Sequence, residues 1–419
     1  MSDVFPLEKS LPAAAEGAVA IVRRLVEAGH QALLAGGCVR DLLLGREPQD
    51  YDVATDALPE RVCALFRATR RVGAQFGVVL VKLHRQWVEV ATFRTDGPYL
   101  DGRRPSSVEP TDARHDALRR DFTVNGMFLD PLRMEAIDYV GGRADLEARI
   151  IRAIGQPAAR FDEDYLRLLR AVRFAARLEF PIEPVTLAAM RSHAATLAQV
   201  APERVREELE RMLGHPNRKG AWRLLGECGL RAHLWPRAWW DDVSAARSEV
   251  LLGRLPREAP FELALAVLLA DRGPDELERI ARDLTLSNEQ RETLIWFVGH
   301  QADLDDPQLP TLAGLKRLMA HPAFDALAML ARARYEDRPN SRERVVVLDG
   351  RLAVIPPECV QPPPLITGTD LMRQGLPPGP AYKEILDTLY TRQLEEEVCT
   401  RDDALAALMK LLAARGGEG

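Results

Sequence analysis

GGCVRDLLLGREPQDYD, residues Gly36–Asp52, places two glycines after an apolar stretch, an arginine within the next turn, and two aspartates one residue apart. QALLA before it reads as a short strand. CVRDLLL reads as a helix of about two turns stopped by Gly45, and YDVATD as the next strand. A helix N-terminus offers free N–H groups and the positive end of a dipole to phosphate. Glycines Gly36 and Gly37 let the backbone come close, and Arg40 adds a forked donor in the first turn. Asp50 and Asp52, at i and i+2 of a strand, share one face. Two carboxylates at that spacing suit Mg²⁺, which takes one or two carboxylates and leaves its other positions to phosphates and water. Taken alone, the glycines are equally a tight turn and the aspartates a solvated strand start. Strand, glycine pair, short helix and acidic pair together read as a triphosphate-and-metal site.

Working outward, residues 13–30 are an amphipathic helix pattern, and GVVLVKLHRQWVEVATF alternates as strands do. FRTDGPYLDGRRPSSVEPTDARHD is rich in turn formers and reads as a loop. RRDFTVNGMFLDP reads as a return to strand. The chain up to about residue 150 is therefore a mixed α/β unit. After Pro157, apolar residues recur at helical spacing to about residue 340. The proline-rich RLAVIPPECVQPPPLITG reads as an extended connector. Residues 366–415 form a small helical tail, where Thr400 and Asp403 suit a helix N-terminus.

The composition is that of a globular protein, with 47% apolar and 28% charged residues in 419. The net charge of −6 argues against a uniformly basic nucleic-acid protein. Arginine is nevertheless dense over 160–177 and 204–223, and phosphate contact depends on such local patches. Five scattered cysteines with no CxxC fit neither a disulfide framework nor a zinc ribbon, and suit a reducing cytoplasm. Neither a signal peptide nor a membrane span is expected. HExxH and Walker motifs are absent, and the His115-Asp116 dipeptide has no accompanying metal motif.

Further candidates lie downstream. Glu89 is either a third carboxylate for the metal or the solvent-facing residue of an edge strand. In RRDFTVN, Arg119 and Arg120 would face opposite sides of a strand, so that at most one enters the site. Asp121 suits an arginine or a sugar hydroxyl, and Asn125 a backbone or sugar group. In EDYLRLLRAVR, Asp164 and Arg167 stand three apart on a helical pattern, continued by Arg170 and Arg173. An ionised aspartate only accepts and an arginine only donates. Such a pair reads a base edge with one acceptor beside one exocyclic amine, as in cytosine and adenine. Uracil and guanine invert that edge and would leave buried groups unpaired. The ordinary alternative is an i,i+3 surface salt bridge.

GGCVRDLLLGREPQDYD, RRDFTVN, EDYLRLLRAVRFAARLEF and ERVREELERML, in that order, resemble the bacterial class II CCA tRNA nucleotidyltransferase and poly(A) polymerase family. The tail segment LITGTDLMRQGLPPGPAYKEIL is similar too. The resemblance implies an α+β N-terminal nucleotidyltransferase domain with a polymerase-β-like palm, followed by an all-α C-terminal region. Its parts would be a head (1–150), a base-recognising neck (151–225), a body (226–350) and an RNA-binding tail (366–419). It implies template-independent addition of C and A to tRNA 3′ ends from CTP and ATP, with Mg²⁺ as cofactor and no protein partner. Asp50 and Asp52 would be catalytic metal ligands. Gly37, Arg40 and Arg120 would hold the nucleotide, and Asp164 and Arg167 would read its base with Arg170 and Arg173 nearby. The loop at 94–110 occupies the place of the family's flexible loop, associated with switching from C to A addition. With no phosphohydrolase motif, the associated phosphatase is not expected. The same motifs serve A-adding, CC-adding and poly(A)-forming enzymes, and an inactive RNA-binding descendant would keep the helices without needing the aspartates.

Overall fold

The computed structural model describes residues 3–72, 77–97, 102, 107–234, 241–308, 310–376 and 379–416. The chain divides into two units, Met1–Asp241 and Asp242–Gly419.

The first unit is built on a mixed sheet. Its strands are β1 (Asp3–Pro6), β2 (Ala32–Ala35), β3 (Asp52–Thr55), β4 (Thr69–Arg71), β5 (Val78–Leu83) and β6 (Gln86–Thr92). A small hairpin follows, β7 (Arg94–Asp96) with β8 (Val108–Pro110), and then β9 (Phe128–Asp130) and β10 (Glu135–Asp138). Among the described residues, eight strands lie in the order β1-β10-β9-β2-β3-β6-β5-β4. The α-helices of this unit among the described residues are α1 (Glu16–Glu27), α2 (Gly37–Leu43), α3 (Pro59–Leu65), α4 (Ala113–Leu118), α5 (Gly142–Ala148), α6 (Pro157–Glu163), α7 (Arg167–Leu178), α8 (Pro184–His193), α9 (Pro202–Leu213), α10 (Arg218–Glu227) and α11 (Arg231–Leu234).

Period-2 alternation decides which face of the sheet is covered. Val79, Val81, Val88 and Val90 are buried on the side packed by α1 and α3. On the other side, Leu33, Ala35, Ala54 and Phe128 pack with Phe93 and with Ala113 and Ala117 of α4. That cover stops short of the start of β3 and the middle of β6, where Asp52 and Glu89 face outward and are exposed. A cleft begins there.

Several local expectations hold, and three change. β2, α2 with Gly45 at φ 69°, and the β5–β6 hairpin stand where the sequence places them. RRDFTVNGMFLDP is not a continuous strand. Arg119 follows the end of α4, Thr123–Asn125 is a 3₁₀ turn, and only Phe128–Asp130 joins the sheet. The segment read as loop before it contains β7, β8 and α4. Asp112 caps α4 by accepting from the His115 N–H at 2.9 Å. The proline-rich connector holds a short helix, Pro357–Val360, which a proline at its first position favours.

The second unit is helical. In its last part, Ile366, Leu371, Ile385, Leu389, Val398, Ala404, Ala407 and Leu408 form one core. The helix Arg401–Gly416 starts with a reciprocal cap: the Thr400 hydroxyl and N–H donate to Asp403, whose N–H donates back. No helix among the described residues is long and apolar enough to cross a membrane. The five cysteines are free thiols.

Candidate active site

β3 and β6 are the parallel pair that places the acidic end of the cleft. In their register Asp52 lies opposite Glu89, so the two side chains leave the same face. Asp50 lies just before β3, not inside it, and lines the same cleft. Partial desolvation, then Glu89 and Asp50, push the Asp52 carboxyl up to about 6 against the pull of Arg120. Three carboxylates thus line one end of the cleft, with the Arg120 guanidinium acting against their mutual repulsion at Asp52. Among the described residues no group of three or more His, Cys, Asp or Glu side chains forms a ready metal cage. A pair of carboxylates opening on a wide cleft still fits an ion that completes its shell with phosphate oxygens and water.

Gly36 turns the chain from β2 into α2 at φ 74°, ψ −132°. A Cβ there would be strained and would come 3.1 Å from Arg120 Nη1. Glycine thus allows both the turn and the approach of that guanidinium. Arg120 and its neighbour Arg119 enter the cleft together, contrary to the expectation that one would turn away. They are not in a strand: both are gripped by Asp116 of α4, Arg119 through Oδ1 at 2.6 Å and Arg120 through Oδ2 at 2.9 Å. Asp116 is buried and held in its charged form by these two guanidiniums against the cost of burial. Sequence reading passed over it as half of a His-Asp dipeptide in a loop. The helical spacing from Asp116 to Arg119 and Arg120 was the available signal.

Arg40 is only 2% exposed. It donates to Asp41 at 2.8 Å and to Asn125 at 2.6 Å and lies over Phe174. Asn125 in turn donates to Asp121 at 3.3 Å, and Asp121 accepts from Arg170 Nη2 at 2.6 Å. The run Arg40–Asn125–Asp121–Arg170 ties the glycine turn to α7. Burial would raise the Asp121 carboxyl, but Arg170, Arg167 and the Phe122 N–H hold it down at about 2. Because an unfolded aspartate titrates near ~3.9, this pair's stabilisation is complete above about pH 4 and is lost as pH falls toward 2. Asp121→Asn should therefore lower stability at pH 7 and flatten the acid limb of the stability curve, measured by denaturant unfolding at pH 2–7.

Asp164 and Arg167 are not on one helix. Asp164 ends α6 in an extended conformation, and α7 begins at Arg167. Nor are their side chains paired: the bond between them is from the Arg167 N–H to the Asp164 carbonyl, at 3.0 Å. Both Asp164 oxygens accept from the fork of Arg204 on α9, at 3.0 and 2.8 Å. Arg167 donates to Glu163 and to the carbonyls of Arg160 and Arg119. Arg173 pairs with Glu208 of α9, which also faces Arg170 and Arg211. Phe174 lies beneath Arg170 and Arg173. Arg204 and Glu208 belong to ERVREELERML, quoted above for its pattern but assigned no role; their i,i+4 spacing puts both toward α7.

The cleft encloses about 1010 Å³, and ten arginines face seven carboxylates among its lining residues. Inside a chain of net charge −6, this wall is positive, with carboxylates gathered at the sheet. It brings together Gly37, Arg40, Asp50, Asp52, Glu89, Arg120, Asp164, Arg167, Arg170 and Arg173. Of the loop at 94–110, residues 98–101 and 103–106 lie outside the described residues; its stems are β7 and β8.

The poly A polymerase head-domain family matches residues 32–152, and the family described as the probable RNA and SrmB-binding site of polymerase A matches residues 179–239. The chain is 35% identical to the CCA-adding enzyme of Geobacillus stearothermophilus, over 91% of this chain and 93% of that one. It is 33% identical to that of Lactococcus lactis subsp. lactis strain IL1403, over 96% and 99%. The crystal structure of the Bacillus stearothermophilus CCA-adding enzyme with CTP superposes with a TM-score of 0.84 at 31% identity, covering 98% of this chain and all of that one. With the palm sheet, the arginine-lined cleft and this full-length likeness agreeing, the chain belongs to the CCA-adding enzyme family of nucleotidyltransferases.

Proposed function

We propose that this protein adds C, C and A to the 3′ end of tRNA, taking CTP and ATP and releasing pyrophosphate. The observation that carries the reading is one cleft with a carboxylate group on the sheet and a donor–acceptor set, Asp164 with Arg167, on the neck helices. Asp50 and Asp52 would hold Mg²⁺, which when bound withdraws charge from the reacting phosphate and lowers the barrier to attack by a hydroxyl. Glu89 adds negative charge beside Asp52. Arg120, steadied by Asp116, and Arg40 behind Gly37 present positive charge to the triphosphate. The tRNA 3′-hydroxyl gives up its proton to solvent and attacks the α-phosphorus, the bond to the β-phosphate breaks, and pyrophosphate departs. The head, neck, body and tail would divide this work, the helical parts holding RNA by backbone and shape. A reducing cytoplasm suits the free thiols.

Base choice would rest on Asp164 accepting from the exocyclic amine of cytosine or adenine while Arg167 donates to the ring nitrogen. Arg204 already donates two hydrogen bonds to Asp164 and the Leu166 N–H a third. Of its roughly four lone-pair sites, about one remains for a base. Asp164→Ala should therefore lower the preference for CTP over UTP by at least about tenfold, the worth of one lost hydrogen bond. Competition assays with paired nucleotides measure it, and unchanged selectivity would reject the assignment. The parent reading is tested with tRNAs lacking CCA, lacking the final A, or complete. Extension by CCA supports it; extension by CC alone, A alone or long A tracts identifies the related activities; no incorporation rejects it.

A further inference from the structure

Trp87 stands on β6, two residues from Glu89, and is 41% exposed. The register fixes its direction. Lys82 is its partner across β5, Leu80 is the partner of Glu89, and Arg70 is the partner of Leu80. Cross-strand partners share a face, so Trp87, Lys82 and Arg70 emerge on the side that carries Glu89 and Asp52. Arg70 lies 4.7 Å and Lys82 5.7 Å from the Trp87 ring centre. Among the described residues neither cation makes an ion pair with a carboxylate. A large aromatic ring with two cations beside it, held by no carboxylate among the described residues, thus continues the floor of the cleft toward the β4 edge, about 7 Å from Glu89 along the strand.

We propose that this platform binds the single-stranded 3′ segment of the RNA whose terminal hydroxyl reacts at Asp50 and Asp52, a base stacking on Trp87 while Arg70 and Lys82 meet the flanking phosphates. The inference rests on the proposed function. Continuity and charge select the occupant. A strand whose end lies at the carboxylates must leave over some part of this wall. The Trp87 side offers what single strands require: a π surface indifferent to base identity and cations for the backbone. Within a duplex the bases stack on one another, so only a single strand can lay an internal base on that ring while its flanking phosphates reach both cations. Solvent exposure is otherwise a poor use of tryptophan, and the two cross-strand cations help to hold this ring in place.

The test uses the full chain and two RNA hairpins of identical stem, one blunt and one with a short single-stranded 3′ tail. Trp87→Ala should weaken binding of the tailed hairpin about tenfold, the loss expected from one base–aromatic stack, with blunt hairpin and CTP bound as in the wild type. Trp87→Phe should restore most of it. Arg70→Ala with Lys82→Ala should weaken the tailed hairpin and make its salt dependence shallower. Equal affinity of Trp87→Ala and wild type for the tailed hairpin, or an equal loss for both hairpins, would overturn the proposal. Binding is read without turnover. Failure of the wild type to extend tRNA would instead reject the function itself.

Discussion

Asp52→Asn should reduce nucleotide incorporation by on the order of 10³-fold or more, the usual cost of removing a main electrostatic stabiliser of a transferring phosphoryl group, while tRNA binding persists and the fold becomes no less stable. The two halves of this expectation have one cause. Asp52 is crowded by Glu89 and Asp50, and its carboxyl is pushed up to about 6. A carboxylate whose proton affinity rises on folding works against the folded state at neutral pH. Converting it to an amide removes that repulsion, so thermal unfolding should move upward or stay unchanged. Residues that serve function at the expense of stability behave this way. If Asp52→Asn lost activity because the palm had unfolded, the melting temperature would fall with it. If the variant kept near-normal turnover, Asp52 would not be a metal ligand. Asp52→Glu, with charge kept but carboxylate displaced, separates geometry from charge.

Much of this site was legible because its positions depend on short-range rules. Gly36 with Gly37 and Gly45 punctuate strand and helix, and period 2 fixes the direction of Asp52, however the strand ends are drawn. Asp50 shows the limit: it lies before the strand, yet the spacing still brought it to the cleft. Glu89 could not be decided from sequence, because only the parallel pairing of β3 with β6, a non-local choice, sets it opposite Asp52. The same reason hid Arg204 and Glu208. Each is one of several charges on an amphipathic helix, and only the packing of α9 on α7 selects those that face Asp164 and Arg173. Arg119 and Arg120 were misjudged for a different reason. A strand pattern separates adjacent residues by half a turn, whereas the end of α4 lets two long side chains converge on Asp116.

Glu208→Ala should cost about 3–5 kcal/mol of stability in the first unit, the range for removing one partner of a buried ion pair. The pair is enclosed: side-chain exposure is 9% for Arg173 and 2% for Glu208. Burial already pulls the Arg173 guanidinium below its ordinary range, and the Glu208 charge is what opposes that pull. With Glu208 gone, Arg173 remains in a poorly solvated position over Phe174 and beside Arg170, two like charges without their shared counter-charge. An arginine cannot escape by losing its proton, so the strain must appear as separation of α7 from α9. Faster amide exchange in these two helices would show it, and would localise the loss better than one melting temperature in a chain of two units. Glu208→Gln, which keeps an acceptor, should lose less. The decisive variant is Arg173→Met with Glu208→Leu. If the loss in Glu208→Ala comes from an unpaired buried charge, replacing both partners by apolar side chains of similar volume should recover most of the stability. Incorporation should nevertheless remain impaired, because Arg170 would lose the charge that helps to fix it beside Asp121 and beside the residues proposed to read the base. Recovery of both stability and activity would reduce the Arg173–Glu208 pair to a packing element; recovery of stability alone would make it a positioning element of the site.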